Sequence, residues 1–272
     1  MSESGADMDL EALKAKWATE QRELASRVSL RDDESWVFTG EEVHERAADE
    51  ATGAEPAADA SRRVELRFVG GLDISFIKGN DTDACVALAV FDLKKRQTVY
   101  SDCQWVKLEF PYISGFLAFR EVPLFLPVLR ACKDAAPDLF PQVVLVDGNG
   151  LLHPRRFGSA CHLGVVAGVP TVGVAKTFLQ VGELTKYDAI ALSRKGLAVP
   201  LNDEHGEQLG WAFRASEALS KPVFVSPGHG VSHRTALEVV RRSCLHRIPE
   251  PVRQADLLSR KFLRENPLDG GA

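Results

Sequence analysis

The chain has 272 residues, 45% of them hydrophobic and 26% charged, with a formal net charge of −5. That length can bury one sizeable core with tails, and the composition excludes disordered and fibrous classes. The acidic balance excludes a wholly basic nucleic-acid binder but not a local basic groove.

Residues 8–28 read as a helix, with Asp9 as a candidate cap and Leu10, Leu13, Trp17 and Leu24 at roughly helical spacing. Residues 41–61 are acidic, Ala-rich and poor in large apolar groups, which predicts an exposed linker or frayed helix. Residues 1–62 are therefore expected to form an N-terminal extension, and 63–272 the folded domain. Three strands are predicted at 64–77, 83–93 and 97–110, with hairpin-length polar turns between them. A helix follows at 115–132, which Pro123 and Pro127 are expected to kink or shorten. The wholly apolar run 142–146 fits a strand buried on both faces. A small-residue helix at 157–167 leads to a strand at 171–175, then strands at 196–200, 207–214 and 222–226. Helices at 232–245 and 251–265 close the chain, with Ser232 as N-cap of the first. A three-stranded meander followed by alternating helix and strand is the order of an RNase H-like α/β domain, a mixed central sheet flanked by helices; a generic doubly wound sheet is the alternative.

No apolar run reaches the roughly 18 to 20 residues of a membrane span, and MSESGADMDLEALKAKW lacks the apolar centre of a secretory signal. A soluble, intracellular protein is expected. Cys85, Cys103, Cys132, Cys161 and Cys244 are scattered and odd in number, so reduced thiols are expected rather than a disulfide framework or zinc site.

Carboxylates in apolar settings are the strongest chemical signal. Asp73 lies inside the first apolar strand, where a charge is costly unless paired or metal-bound. Asp147 directly follows VVLV, at the carboxyl end of a strand where open α/β sheets gather ligands. Glu121 lies in the largely apolar helix GFLAFREVPLFL, and Asp256 in the last helix. Each alone reads equally as a structural or solvated carboxylate, and Asp256 more readily as an exposed one. Together they suit hard cations such as magnesium, whose paired ions drive in-line phosphodiester displacement.

DGNGLLHPRRFG (147–158) is the densest stretch. Gly148 and Gly150 flank Asn149, so the backbone can approach a ligand closely, but the third glycine of a dinucleotide loop is missing. His153 is placed to donate to a base edge or phosphate, or to cap the loop. Arg155 and Arg156 suit phosphates, one of them alternatively being a solvated arm. Lys176, at the end of TVGVA, can face the site or the surface. Pro111, Tyr112 and Ile113 form a turn that reads either as an exposed wedge for a base stack or as a buried anchor. His162, His229 and His233 lack zinc-ligand spacing, and His162 is expected to pack in its helix. Arg234, Arg241, Arg242, Arg247 and Arg253 read as a phosphate-tracking face or as solubilising charge.

GLDISF, PYISGFLAFRE, VLVDGNGLLHPRRFGSACHLGV, PTVGVAKT and PEPVRQAD, in this order over about residues 64–265, resemble the endonuclease V family, above all its vertebrate members. The resemblance implies an RNase H-like fold and magnesium as cofactor, with manganese able to substitute. It implies that Asp73 and Asp147 are the principal metal ligands, with Glu121 at the third acidic position and Asp256 at a position that is Asp in some members and His in others. It further implies that Pro111, Tyr112 and Ile113 form the wedge beside the modified base. His153 and Lys176 then belong to the catalytic and substrate-holding site, and Gly148, Asn149 and Gly150 to the recognition loop. The implied reaction cuts the second phosphodiester 3′ to inosine and leaves 3′-hydroxyl and 5′-phosphate ends. Likeness to vertebrate members puts inosine-containing single-stranded RNA first as partner and deoxyinosine-containing DNA second, in the cytoplasm with the nucleolus as a further location; a monomer is the default expectation. A silent nucleic-acid-binding module and an unrelated nucleotide-binding enzyme are the competing classes, against which stand the intact acidic positions and the missing third glycine.

Overall fold

The computed structural model describes residues 3–38, 64–80, 82–110, 113–194 and 196–268. Its centre is an eight-stranded sheet. The meander β3 (Phe68–Phe76), β4 (Asp83–Asp92) and β5 (Gln97–Lys107) is antiparallel, and β6 (Val143–Val146) and β7 (Thr171–Ala175) continue it in parallel. β10 (Val223–His229), β9 (Gln208–Phe213) and β8 (Ala198–Asn202) then turn antiparallel, giving the order β5-β4-β3-β6-β7-β10-β9-β8. This is the expected mixed sheet flanked by helices. A short parallel pair, β1 (Trp36–Val37) with β2 (Val64–Glu65), lies apart from it.

Alternation along the strands splits the core in two. Val144 and Val146 pack with Leu72, Val86 and Leu88 under α2 (Leu117–Ala135) and α3 (Ser159–Ala167). Val143 and Leu145 face the opposite layer, with Val69, Val172 and Val225 against α5 (His233–Ser243) and Val252 of α6 (Glu250–Glu265). Both faces of β6 are buried, as its apolar run foretold.

Several boundaries differ from expectation. The first helix, α1 (Glu3–Ala25), begins before Asp9, so Asp9 lies within it rather than at its cap. The run 64–77 is divided at Leu66 and Arg67 into β2 and β3. α2 is not cut short by its prolines. Pro123 and Pro127 are a helical turn apart on its exposed face, and the helix runs on past both to Ala135. α4 (Lys186–Ser193) was not expected, although Thr185 and Asp188 close a capping box that the sequence spells out. Ser232 does cap α5, its hydroxyl accepting the Thr235 N–H at 3.2 Å. The acidic stretch 41–61 and the 62/63 boundary lie outside the described residues. Among the described residues, no helix is long and apolar enough to cross a membrane.

Candidate active site

The close approach of α6 to β3 sets the site. A Cβ on Gly71 would lie 2.0 Å from the Pro251 carbonyl carbon, so only glycine lets the helix start directly on the strand. Farther along, Ser75 Oγ and Ser259 Oγ share a hydrogen bond of 2.8 Å. The helix climbs about 12 Å between these contacts and the strand about 13 Å, so the two run in step. Asp73, midway on the strand, therefore comes to the helix near Asp256, and Ser259 Oγ donates to Asp73 Oδ2 at 3.4 Å.

Asp147 leaves β6 on the same side, its N–H donating to Leu72 O at 3.1 Å. Lys176, the residue after β7, reaches between the carboxylates, with Nζ 2.6 Å from Asp147 Oδ2 and 3.3 Å from Asp256 Oδ1. Its position is fixed from behind, because Arg247 Nη2 donates to the Lys176 carbonyl at 3.1 Å. Asp73 is buried, and its carboxyl is pushed up to about 8, first by burial and then by the charge of Asp147. Glu121, on the buried side of α2, is likewise pushed up to about 8, by burial and next by Asp147, against a smaller pull from Arg120. Asp147 thus acts on both buried carboxyls, and the three form one electrostatic unit with Asp256 at its rim.

Among the described residues, no three carboxylate, imidazole or thiol groups already stand in the arrangement of a metal cage. The donor set nevertheless fits magnesium. It offers hard oxygen ligands on separate rigid elements, magnesium needs only one or two carboxylates beside its waters, and Asp73 and Glu121 are raised first by burial and then by Asp147, so a cation among them would offset both effects.

The loop after Asp147 is pressed flat on the sheet. Gly150 N–H donates to Ser226 Oγ at 2.9 Å, and Ala160 N–H to Asn149 O at 3.0 Å. A Cβ on Gly150 would lie 2.2 Å from Pro227 O, and one on Gly173 would lie 2.3 Å from Gly150 N. Gly150 is therefore required by packing against β10 and β7, a reason different from the ligand approach expected of it. Gly148 has ordinary room, its nearest neighbour being Ser159 Cβ at 3.6 Å, and Asn149 Oδ1 is buried without a hydrogen-bond partner. His153 is buried and pushed down to about 4 by burial, then by Arg155. Its Nδ1 accepts the Arg155 N–H at 3.2 Å, so the neutral ring carries its proton on Nε2 and is a donor from that edge.

With this geometry in place, the comparisons decide the family. The model of the endonuclease V family matches residues 53–257. The chain belongs to the endonuclease V family. Mouse endonuclease V is 40% identical over 97% of this chain and 73% of its own length. The crystal structure of the human endonuclease V catalytic domain superposes with a TM-score of 0.79 at 37% identity, covering 94% of this chain and 97% of that one. Endonuclease V of Ciona intestinalis, solved with a DNA 24-mer containing an inosine followed by a ribo-adenosine, gives a TM-score of 0.79 at 32% identity over 93% and 99% of the two chains. The fold is the RNase H-like fold of these nucleases, and the family is one of metal-dependent nucleases.

Other expected endonuclease V residues fall differently. Pro111 and Tyr112 lie outside the described residues. Ile113 is not on an exposed tip; it is buried with Trp17, Phe116 and Phe119, apolar partners that α1 supplies in part. Arg155 is exposed, yet Nε donates to Gln21 Oε1 and Nη2 to Gly115 O. Arg156 adopts a left-handed backbone with φ 51° and pairs with Asp203 and Glu207, so it is no open phosphate ligand. Four of the five arginines of the basic face are taken up locally: Arg241 and Arg242 hold Glu238, Arg253 holds Glu250, and Arg247 is spent on backbone carbonyls, while Arg234 is exposed. His162 does pack in its helix, against Phe119 and Phe157.

Gln21 and Ser259 went unnoticed in the sequence, and Arg247 was noticed only as a surface charge, not as the support behind Lys176. Ser259 sits one helical turn from Asp256 and Gln21 one turn from Trp17, so helical spacing alone could have flagged both.

Proposed function

We propose that this chain is a magnesium-dependent endonuclease that hydrolyses single-stranded RNA at inosine, cutting the second phosphodiester on its 3′ side, with weaker action on deoxyinosine in DNA. Family membership supports nucleolytic chemistry, and the Ciona relative's complex with inosine-containing DNA supports inosine as the recognised base. The observation that carries the reading is the convergence of Asp73 within β3, Asp147 just after β6 and Asp256 in α6 around Lys176, just after β7.

Asp73, Asp147 and Glu121 would hold the metal, with Asp256 at its edge, and bound magnesium supplies an activated water and charge for the leaving oxygen. Lys176 neutralises the phosphate as negative charge builds on it. In the balanced step, water oxygen bonds to phosphorus and the P–O3′ bond breaks. The 3′ oxygen takes up a proton, which leaves 3′-hydroxyl and 5′-phosphate ends. His153, neutral at working pH, donates through Nε2 to a substrate oxygen. The turned-out base enters beside the 147–150 loop, whose amides and carbonyls distinguish the C6 carbonyl and protonated N1 of hypoxanthine from adenine. Pro111 and Tyr112 fill the gap it leaves, on a turn that buried Ile113 anchors. We place the enzyme in the cytoplasm, with the nucleolus as a further site, acting as a monomer.

Matched single-stranded RNA and DNA oligonucleotides, each with one inosine, test this. Magnesium-dependent cutting of RNA, with one 3′-hydroxyl product end displaced one nucleotide past the inosine, is expected. Cutting of DNA alone would reassign the substrate, and excision of the base would overturn the reaction type.

A further inference from the structure

The N-terminal helix reaches the site through one buried amide. Gln21 in α1 is 2% exposed. Its Nε2 donates to Phe157 O at 2.9 Å, and its Oε1 accepts from Arg155 Nε. A second Arg155 nitrogen donates to Gly115 O, and the guanidinium lies over the Phe116 ring with Cζ 4.1 Å from its centroid. Gly115 has φ 80°, and a Cβ there would stand 2.6 Å from Arg155 Nη2, so the position admits this arginine only while it is glycine. The arginine stays exposed, with Nη1 lacking an acceptor among the described residues.

An exposed arginine held on three sides has given up its conformational freedom, and an exposed guanidinium adds little to folding stability. Pinning of this kind is rewarded when a ligand uses the pinned group, because the ordering cost has been met before binding. Both anchors belong to segments that border the proposed recognition site: Gly115 closes the wedge turn, and Arg155 follows His153 in the loop after Asp147.

We infer that Gln21 is a positioning residue that aims the Arg155 guanidinium at a backbone phosphate of the substrate strand, which makes α1 part of the recognition site rather than an appended tail. The inference rests on the nucleic-acid reading above. α1 is further fixed by Trp17, which stacks on Phe119 at 5.1 Å and meets Phe110 edge-on at 5.3 Å, so it grips both flanks of the wedge turn.

The test is a double-mutant cycle on the full chain, read as binding of a labelled single-stranded inosine RNA by anisotropy with chelator present, so that no cleavage enters. Gln21→Leu and Arg155→Ala are each expected to weaken binding about tenfold, and the double variant also about tenfold, because both remove the same contact. Each single variant should lower the salt dependence of binding by about one counterion. Gln21→Met, which likewise removes the acceptor for Arg155, serves if the leucine variant melts early and should weaken binding to the same extent. A double variant weakened about a hundredfold, or an Arg155→Ala that binds like wild type, overturns the inference while leaving the nuclease reading intact. A wild type with no affinity for the RNA overturns both.

Discussion

Lys176 Nζ stands 2.6 Å from Asp147 Oδ2, an ammonium at the end of one parallel strand bonded to a carboxylate at the end of its neighbour. The pair places a fixed positive charge where the phosphate of a bound strand would lie. Lys176→Met keeps the length of the side chain and removes the charge. The expected outcome is a loss of about 100-fold in kcat with a modest change in KM, measured on inosine RNA at saturating magnesium. Unchanged kcat would assign Lys176 to stability alone.

The buried carboxyls make a prediction about pH. Asp73 and Glu121 are both raised to about 8 in the fold, against roughly 4 in an unfolded chain. Across that window the folded protein binds more protons than the unfolded one, so stability falls as pH rises. Asp73→Asn and Glu121→Gln, measured in chelator at pH 8, should each raise Tm by about 3 °C or more and should do little at pH 4. A drop in Tm at pH 8 would show that the charged forms are stabilised by groups not assigned here.

The same protons must leave when a cation enters. Magnesium or manganese titrated calorimetrically at pH 7, in buffers of different ionisation enthalpy, should release about one proton or more per site. Glu121→Gln should reduce that release. Binding without any proton release would mean that neither raised carboxyl is a ligand.

Asp92 has the opposite sign and no part in the site. It is buried at the β4–β5 turn, where Oδ1 accepts the N–H groups of Lys94 and Lys95 and Oδ2 accepts Arg67 Nε at 3.0 Å. Burial works against its charge, but Arg67 and the two amides outweigh it and hold the carboxyl below its ordinary value. Its contribution is present above about pH 4 and is lost as pH falls through the depressed value. Asp92→Asn should lower Tm at pH 7, with the difference from wild type shrinking below about pH 4, while leaving cleavage of native protein intact. An equal Tm at neutral pH would contradict it.

The strands were legible because each signal was local. Short polar turns marked β3 to β5, and the wholly apolar VVLV announced a strand buried on both faces. The acidic residues were legible by their cost, since Asp73 in an apolar strand and Glu121 in an apolar helix both demand a reason. Their convergence was not, because it depends on Gly71 admitting the Pro251 backbone and on helix and strand rising in step, relations between distant residues. The arginines misled for the same reason. Arg156 and Arg247 look free in sequence, and only the fold brings Asp203, Glu207 and the carbonyls of Lys176 and Pro222 to them. Ile113 belonged to a turn that read either as an exposed wedge or as a buried anchor, and Trp17, from a helix far away in the chain, buries it.

The central claim is that Asp147 joins Asp73 and Glu121 in a centre that cuts beside inosine. The most direct measurement is the single-turnover rate on end-labelled single-stranded RNA with one inosine, in magnesium, for wild type and Asp147→Asn. The wild type should cut once near the inosine and spare an adenosine control. The variant should be slower by about 1000-fold or more with Tm within about 3 °C. A variant that cuts at the wild-type rate, or a wild type that cuts the adenosine control equally well, would contradict the account.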